Sequence, residues 1–363
     1  MSTPDRSEVV GESATARQFI ISADSHVIEA ADLMESRLPA SLRSRAPRFP
    51  EMRIGERHQA HAGGRESSQR IGEMEIDGVD AEVIYPSYPM KLYSLDREDA
   101  DLQEACFRAY NDWLAEYCSV APERLLGIAM VSTYDIESAI LEMERCKKLG
   151  MRGAMVWQCP PEDIPFSSGH YDPFWAAAQK MEMPISIHSL TGIGDSARRF
   201  PDRPVRSVDR VGLDRYRGSG QVDVTTVLFD IIFSGVLHRF PKLKLVMVEN
   251  EIGWMPFMLQ NWDKSVAKFA GNTTLEIDKP PSEYFMRQVY ATFFNDAVGG
   301  QMLTWWGQDN CMWSNDFPHP NSTWPRSQEA IARTLGHLSA EGQAKVIRTT
   351  AAGLYKITVP EAA

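Results

Sequence analysis

Six side chains able to bind a cation or move a proton recur at comparable places in this 363-residue sequence: Asp24 and His26, His188, Glu249, and Asp316 with His319. Asp24 and His26 stand two apart, so on a strand both leave on one face. His188 closes the run "PISIH", Glu249 closes "LKLVMVE", and Asp316 closes "CMWSND". His319 sits between Pro318 and Pro320, which restrict the loop and limit the entropy lost in fixing an imidazole. Imidazoles and carboxylates ligate divalent metals and are also the common general acids and bases. Each residue alone has a structural use: a strand-end histidine can bond a carbonyl, an aspartate can start a turn, and Glu249 can precede a helix. Together they differ. Carboxylates gathered at such density in a buried place repel one another unless protons or a cation neutralise them, and a metal ion is the simplest neutraliser.

The elements that must position these groups are eight short apolar runs, at 19–27, 81–87, 125–132, 152–158, 184–189, 243–249, 289–296 and 311–316. Such continuous apolar runs suit parallel strands covered on both faces. Helical patterns such as "DLQEACFRAYNDWLAEYC", "IESAILEMERCKKLG" and "VTTVLFDIIFSGVLHRFP" separate them. The alternation predicts an α/β fold, a (β/α)8 TIM barrel, distorted by insertions after strands 1 and 5. The insertions are the polar, Arg-, Pro- and Gly-rich stretches near 28–80 and 190–224, expected to act as lids or contacts. Residues 18–363 are expected to form a single barrel domain, and residues 1–17 a disordered tail. Barrel sites lie at the C-terminal ends of the strands, where the candidate residues fall.

The composition, 43 % apolar and 24 % charged, is that of a globular protein with a substantial core. A formal net charge of −11 argues against a nucleic-acid or anionic-membrane partner. The polar opening "MSTPDRSEVVGESATARQF" lacks a signal-peptide core, and no apolar run is long enough to span a bilayer, so a cytoplasmic location is expected. Five scattered cysteines without a CxxC pair suggest reduced thiols. The expected partners are a small-molecule substrate and further copies of the chain, or a paralogous subunit.

Four stretches, "SADSHVIEAADL", "DPFWAAAQKMEMPISIH", "RFPKLKLVMVENEIGWMP" and "SNDFPHPNSTWP", resemble motifs of the amidohydrolase-related family of the amidohydrolase superfamily. The resemblance implies a distorted barrel with a divalent metal, and Asp24, His26, His188 and Asp316 match the family's ligands. It implies hydrolysis of a small amide, ester or lactone by metal-activated water, with Asp316, His188 and Glu249 as catalytic residues and zinc as the metal. Decarboxylase-like members carry a histidine on the sixth strand, where this chain has Glu249; non-oxidative decarboxylation therefore ranks lower. The alternative expectation is a dinuclear Fe/Fe or Fe/Mn oxygenase hydroxylating a small organic acid, with Glu249 and His319 completing a second metal position. An inactive partner subunit ranks below both. Glu29 is a candidate to orient a ligand, and Tyr85 a candidate pocket wall.

Overall fold

The computed structural model describes residues 17–50, 61–192, 219–269 and 274–360. All eight apolar runs form strands: β1 (Ile21–His26), β2 (Ala81–Tyr85), β3 (Leu125–Met130), β4 (Gly153–Val156), β5 (Ile185–His188), β6 (Leu245–Val248), β7 (Val289–Phe293) and β8 (Cys311–Trp313). They pair in parallel in chain order from β1 to β8. Almost every strand residue is buried on both faces, which is why the runs are apolar throughout rather than alternating.

Helices cover this sheet. α1 (Leu33–Arg37) and α2 (Ser67–Asp77) join β1 to β2, α3 (Ala100–Cys118) leads to β3, α4 (Ile136–Lys148) to β4 and α5 (Asp172–Met181) to β5. α6 (Ser219–Phe233) and α7 (Val236–Arg239) precede β6, α8 (Met255–Phe269) and α9 (Pro281–Gln288) precede β7, and α10 (Ala297–Met302) precedes β8. α11 (Ser327–Leu335), α12 (Ala340–Ala344) and α13 (Thr350–Tyr355) complete the wall, the last two joined by a π-helical turn at Lys345–Thr349. The helical pattern at 224–241 divides because Gly235 takes φ +74°, a left-handed conformation open to glycine. The fold is a (β/α)8 barrel.

The barrel closes at a seam between β8 and β1. No ladder joins β8 to β1; beyond the end of β8, Asp316 N–H donates to the Asp24 carbonyl (3.1 Å) and His26 N–H to the Phe317 carbonyl (2.6 Å). Between Ser22 and Ser25 the β1–β2 register slips, so β1 carries one extra residue beside Asp24.

The described part of the first insertion is tied into the wall: Ile28 N–H donates to the Gly64 carbonyl (2.7 Å), and the Tyr117 hydroxyl donates to that of Gly63. Most of the second insertion, residues 193–218, and nearly all of the expected N-terminal tail lie outside the described residues. None of the five cysteines is in a disulfide. Among the described residues no helix is long and apolar enough to cross a membrane.

A rim contact offers a stability test. Gly192, at φ +80°, bridges Cys159 so closely that an added Cβ would lie 2.0 Å from the Cys159 carbonyl oxygen. Gly192→Ala is expected to cost at least about 1–3 kcal/mol, read as a lower urea midpoint, because both the backbone and the space oppose it. An unchanged midpoint would show that the rim yields freely.

Candidate active site

The strand ends bring Asp24, His26, His188 and Asp316 together at the C-terminal mouth of the barrel, each 0–1 % exposed. His26 and Asp24 come from β1, two residues apart, Asp24 within the register slip and His26 just past it, and both face the mouth. His26 Nε2 lies 3.4 Å from Asp24 Oδ1 and 3.5 Å from Asp316 Oδ1, while His188 Nε2 lies 3.7 Å from Asp24 Oδ1.

Neighbouring carbonyls fix the rings. His26 Nδ1 donates to the Pro86 carbonyl (2.7 Å) and His188 Nδ1 to that of Ser189 (3.1 Å), which directs both Nε2 atoms at Asp24. Both oxygens of Asp24, both Nε2 atoms and Asp316 Oδ2 have no hydrogen-bond partner, although all are buried. Buried polar atoms are normally satisfied, so five orphans converging on one place require something positive between them. Asp24, His26 and His188 offer ligand atoms within 4.8 Å of one another, and His26, Asp316 and His319 form an overlapping set. This donor set fits a divalent cation.

The electrostatics agree. Burial alone would raise the Asp24 carboxyl, but the His188 and His26 imidazoles outweigh it and hold it well below the usual carboxylate range. Burial opposes charge on His188, yet Asp24 and then Glu249 push it up to about 9. The space between these side chains therefore favours positive charge, carried by a proton or by a metal ion. Burial, and then the His319 ring stacked at 3.9 Å, lower His26.

Asp316 differs from Asp24. Burial pushes its carboxyl up to about 7, with the Asp24 charge adding to the rise against the pull of His26. His319 Nδ1 stands 2.9 Å from Asp316 Oδ1 and its Nε2 3.0 Å from Ser87 Oγ. The Ser87 hydroxyl spends its own proton on the Val27 carbonyl (2.6 Å). His319 Nε2 must then donate to Ser87, and a proton is shared between His319 Nδ1 and Asp316. His319 thus has protein partners at both ring nitrogens, while its side chain is 18 % exposed. The pair holds a proton beside the orphaned cluster and touches solvent.

Glu249 takes φ +55°, and its N–H donates to Thr292 Oγ1 (2.9 Å). Its Oε2 accepts from Ser189 Oγ (2.6 Å) and lies 3.8 Å from His188 Nδ1, on the side of that ring away from Asp24. Tyr85 sits beneath the site, its ring 5.2 Å from that of His188 and its hydroxyl bonded to Ser186 Oγ (2.9 Å). Glu29 accepts the N–H groups of Ser87 and Tyr88 (3.0 Å each), holding the loop that presents Ser87 to His319.

Burial pushes Glu29 from its ordinary 4.5 up to about 7. A folded-state value above the unfolded one means that the stability protonated Glu29 contributes is full below about 4.5 and lost as pH rises through about 7. Glu29→Gln is expected to remove this loss: urea midpoints across that range should fall for the parent relative to the variant. A constant difference between the two would contradict the assignment.

Sequence reasoning missed Ser87, Asn315 and the Arg70–Glu82 pair around this site. Glu82 was detectable as a charged residue inside the otherwise apolar run "AEVIY"; Ser87 and Asn315 carried no comparable signal.

Known proteins narrow the chemistry. The chain is 26 % identical over 270 residues to a gamma-resorcylate decarboxylase of Rhodococcus jostii (strain RHA1), covering 69 % of this chain and 76 % of the relative. It is 23 % identical over 310 residues to the gamma-resorcylate decarboxylase of Rhizobium sp. (strain MTP-10005), covering 79 % and 86 %. In fold it is similar to an amidohydrolase from Mycobacterium avium subsp. paratuberculosis K-10, with TM-score 0.76 and 18 % identity over 94 % of this chain and 100 % of that one. It is similar also to a dihydroxybenzoic acid decarboxylase from Polaromonas sp. JS666 with bound manganese and 2-nitroresorcinol, with TM-score 0.67 and 20 % identity over 93 % and 97 %.

These relatives overturn the expectation of amide, ester or lactone hydrolysis, and with it the dinuclear oxygenase alternative, because they are named decarboxylases. The physical reason is that a cation site with a neighbouring acid suits several chemistries, and the ranking leaned on one absent histidine of β6. Nor did the ligand set distinguish zinc or iron from other divalent metals. The amidohydrolase family model matches residues 26–357, so this chain belongs to the amidohydrolase family.

Proposed function

We propose that the protein is a metal-dependent, non-oxidative decarboxylase of a hydroxylated aromatic acid. The observation that carries this is the pairing of an orphaned donor set, Asp24, His26 and His188, with a proton held between Asp316 and His319. The decarboxylases among its relatives support the reaction class, and the manganese bound in one similar structure supports a divalent cation.

Asp24, His26 and His188, with Asp316 at the edge, would hold the cation. When bound, it supplies positive charge that anchors an anionic substrate and offsets the buried carboxylates. The remaining chemistry belongs to the chain. Asp316 passes its proton to the ring carbon that bears the carboxylate; the C–C bond to that carboxylate then breaks, its electron pair restores the aromatic ring, and carbon dioxide leaves. A ring hydroxyl assists by raising electron density at the protonated carbon. His319 returns a proton from solvent to Asp316, and Ser87 fixes the ring for that transfer. Burial raises the Asp316 carboxyl to about 7, the direction a general acid working near neutrality needs. Glu249 and the Ser189 carbonyl back His188 at Nδ1 and hold its tautomer.

The test is release of carbon dioxide from a panel of ortho-hydroxylated benzoates, 2,6-dihydroxybenzoate among them, by Mn2+-loaded protein. Turnover that stops with EDTA and returns with Mn2+ is the expected result. A panel left untouched by the loaded protein would contradict the proposal.

A further inference from the structure

Behind the seam that carries Asp24, His26 and Asp316 lies a second buried polar cluster, on the side of the barrel wall away from the mouth. Its centre is Asn315, 1 % exposed. Asn315 Oδ1 accepts from Ser22 Oγ (2.9 Å), Ser25 Oγ (2.8 Å) and Phe317 N–H (3.1 Å). Its Nδ2 donates to Glu82 Oε1 (3.2 Å) and Asp77 Oδ2 (3.3 Å). Hydroxyl and N–H donors on one side, and carboxylates on the other, settle which amide atom is which.

Two features link this cluster to the site. First, the bond from Phe317 N–H to Asn315 Oδ1 spans Asp316, which takes φ +51°, a strained conformation for a residue with a side chain. The Asn315 amide thereby holds the turn that aims Asp316 into the mouth. Second, the network returns to His26. Glu82 Oε2 accepts from Arg70 Nε (2.5 Å), Arg70 Nη1 donates to the His26 carbonyl (2.7 Å), and the Arg70 guanidinium stacks 4.5 Å from the centre of the Phe317 ring. The register slip of β1 is what puts Ser22 and Ser25, three apart, within 3.0 Å of each other and of this amide.

The seam has no strand ladder of its own, so the separation of Asp24 and His26 from Asp316 depends on two backbone hydrogen bonds and on this cluster. We infer that Asn315, backed by the Glu82–Arg70 pair, is a positioning residue that sets the spacing of the cation donors across the β1–β8 seam. The inference rests on the metal-dependent reading of that site and deepens it: Asn315 touches neither cation nor substrate, and acts through the turn at Asp316 and the two serines of β1.

The test is Mn2+ affinity by competition with a chelator, on folded protein well below its melting temperature. Asn315→Ala is expected to weaken Mn2+ about 10–100-fold, the range usual for groups that orient ligands. Ser25→Ala, which removes one donor to Oδ1, is expected to weaken it less and in the same direction; it serves if Asn315→Ala does not fold. Asn310→Ala is the control. Asn310 is equally buried and donates to the Met286 and Val289 carbonyls behind β7, so it should lower the melting temperature and leave Mn2+ affinity unchanged. Unchanged affinity in both Asn315→Ala and Ser25→Ala would overturn the inference, as would an Asn310→Ala loss equal to theirs. A parent that binds no Mn2+ overturns it together with the metal site. A parent that binds Mn2+ without decarboxylating anything removes the proposed reaction and leaves the affinity comparison to decide this inference.

Discussion

Asp316→Asn is expected to lower the rate of decarboxylation by about 10²–10⁴-fold, the usual contribution of a positioned general acid. The substitution is chosen to change the proton and little else. Asp316 is buried at φ +51°, a conformation that asparagine tolerates as well as aspartate does. The amide has nearly the same size and can keep its oxygen toward the cation while its NH2 donates to His319 Nδ1, so Mn2+ content should be retained. What it lacks is the acidic proton that Asp316 and His319 hold between them. A variant that binds Mn2+ and keeps most of the parent's activity would show that the proton comes from elsewhere.

Asp24→Asn is expected to act on the metal rather than on the proton. Both oxygens of Asp24 are buried without partners, and they face the Nε2 atoms of His26 and His188. A ligand that binds only the folded state stabilises it by about 2.7 kcal/mol when present at a hundred times its dissociation constant. The parent should show this gain with Mn2+ as a rise in melting temperature. Asp24→Asn, having lost the one fully ionised donor of the cluster, should show no rise at that concentration. His188 should also lose most of its raised pKa, because Asp24 is the principal group opposing its desolvation. An equal Mn2+ shift in parent and variant would place the cation elsewhere.

The barrel was legible in the sequence because strands buried on both faces leave continuous apolar runs, and each expected run contains a strand. The inward pair Asp24 and His26, and the terminal His188 and Asp316, were legible for a related reason: a charged residue closing such a run has few structural uses. Glu249 was found as a residue, but its direction was not. Its left-handed backbone departs from strand alternation and turns the carboxylate toward Ser189, which spacing alone does not encode. Asn315 was invisible because its partners lie hundreds of residues away, and Arg70 because it lies in the polar first insertion, where no periodicity links it to β1. The reaction was the least legible part, since hydrolysis and decarboxylation both begin from a cation beside a carboxyl group that moves a proton.

The central claim is that a proton held at Asp316 replaces a carboxylate on an aromatic carbon. It is tested most directly by running the Mn2+-loaded protein in D2O with an ortho-hydroxylated benzoate that it consumes, and examining the product by NMR and mass spectrometry. The predicted result is one carbon dioxide per product, with a single deuterium at the carbon that bore the carboxylate. A product that retains the carboxylate, or carries no deuterium at that carbon, would contradict it.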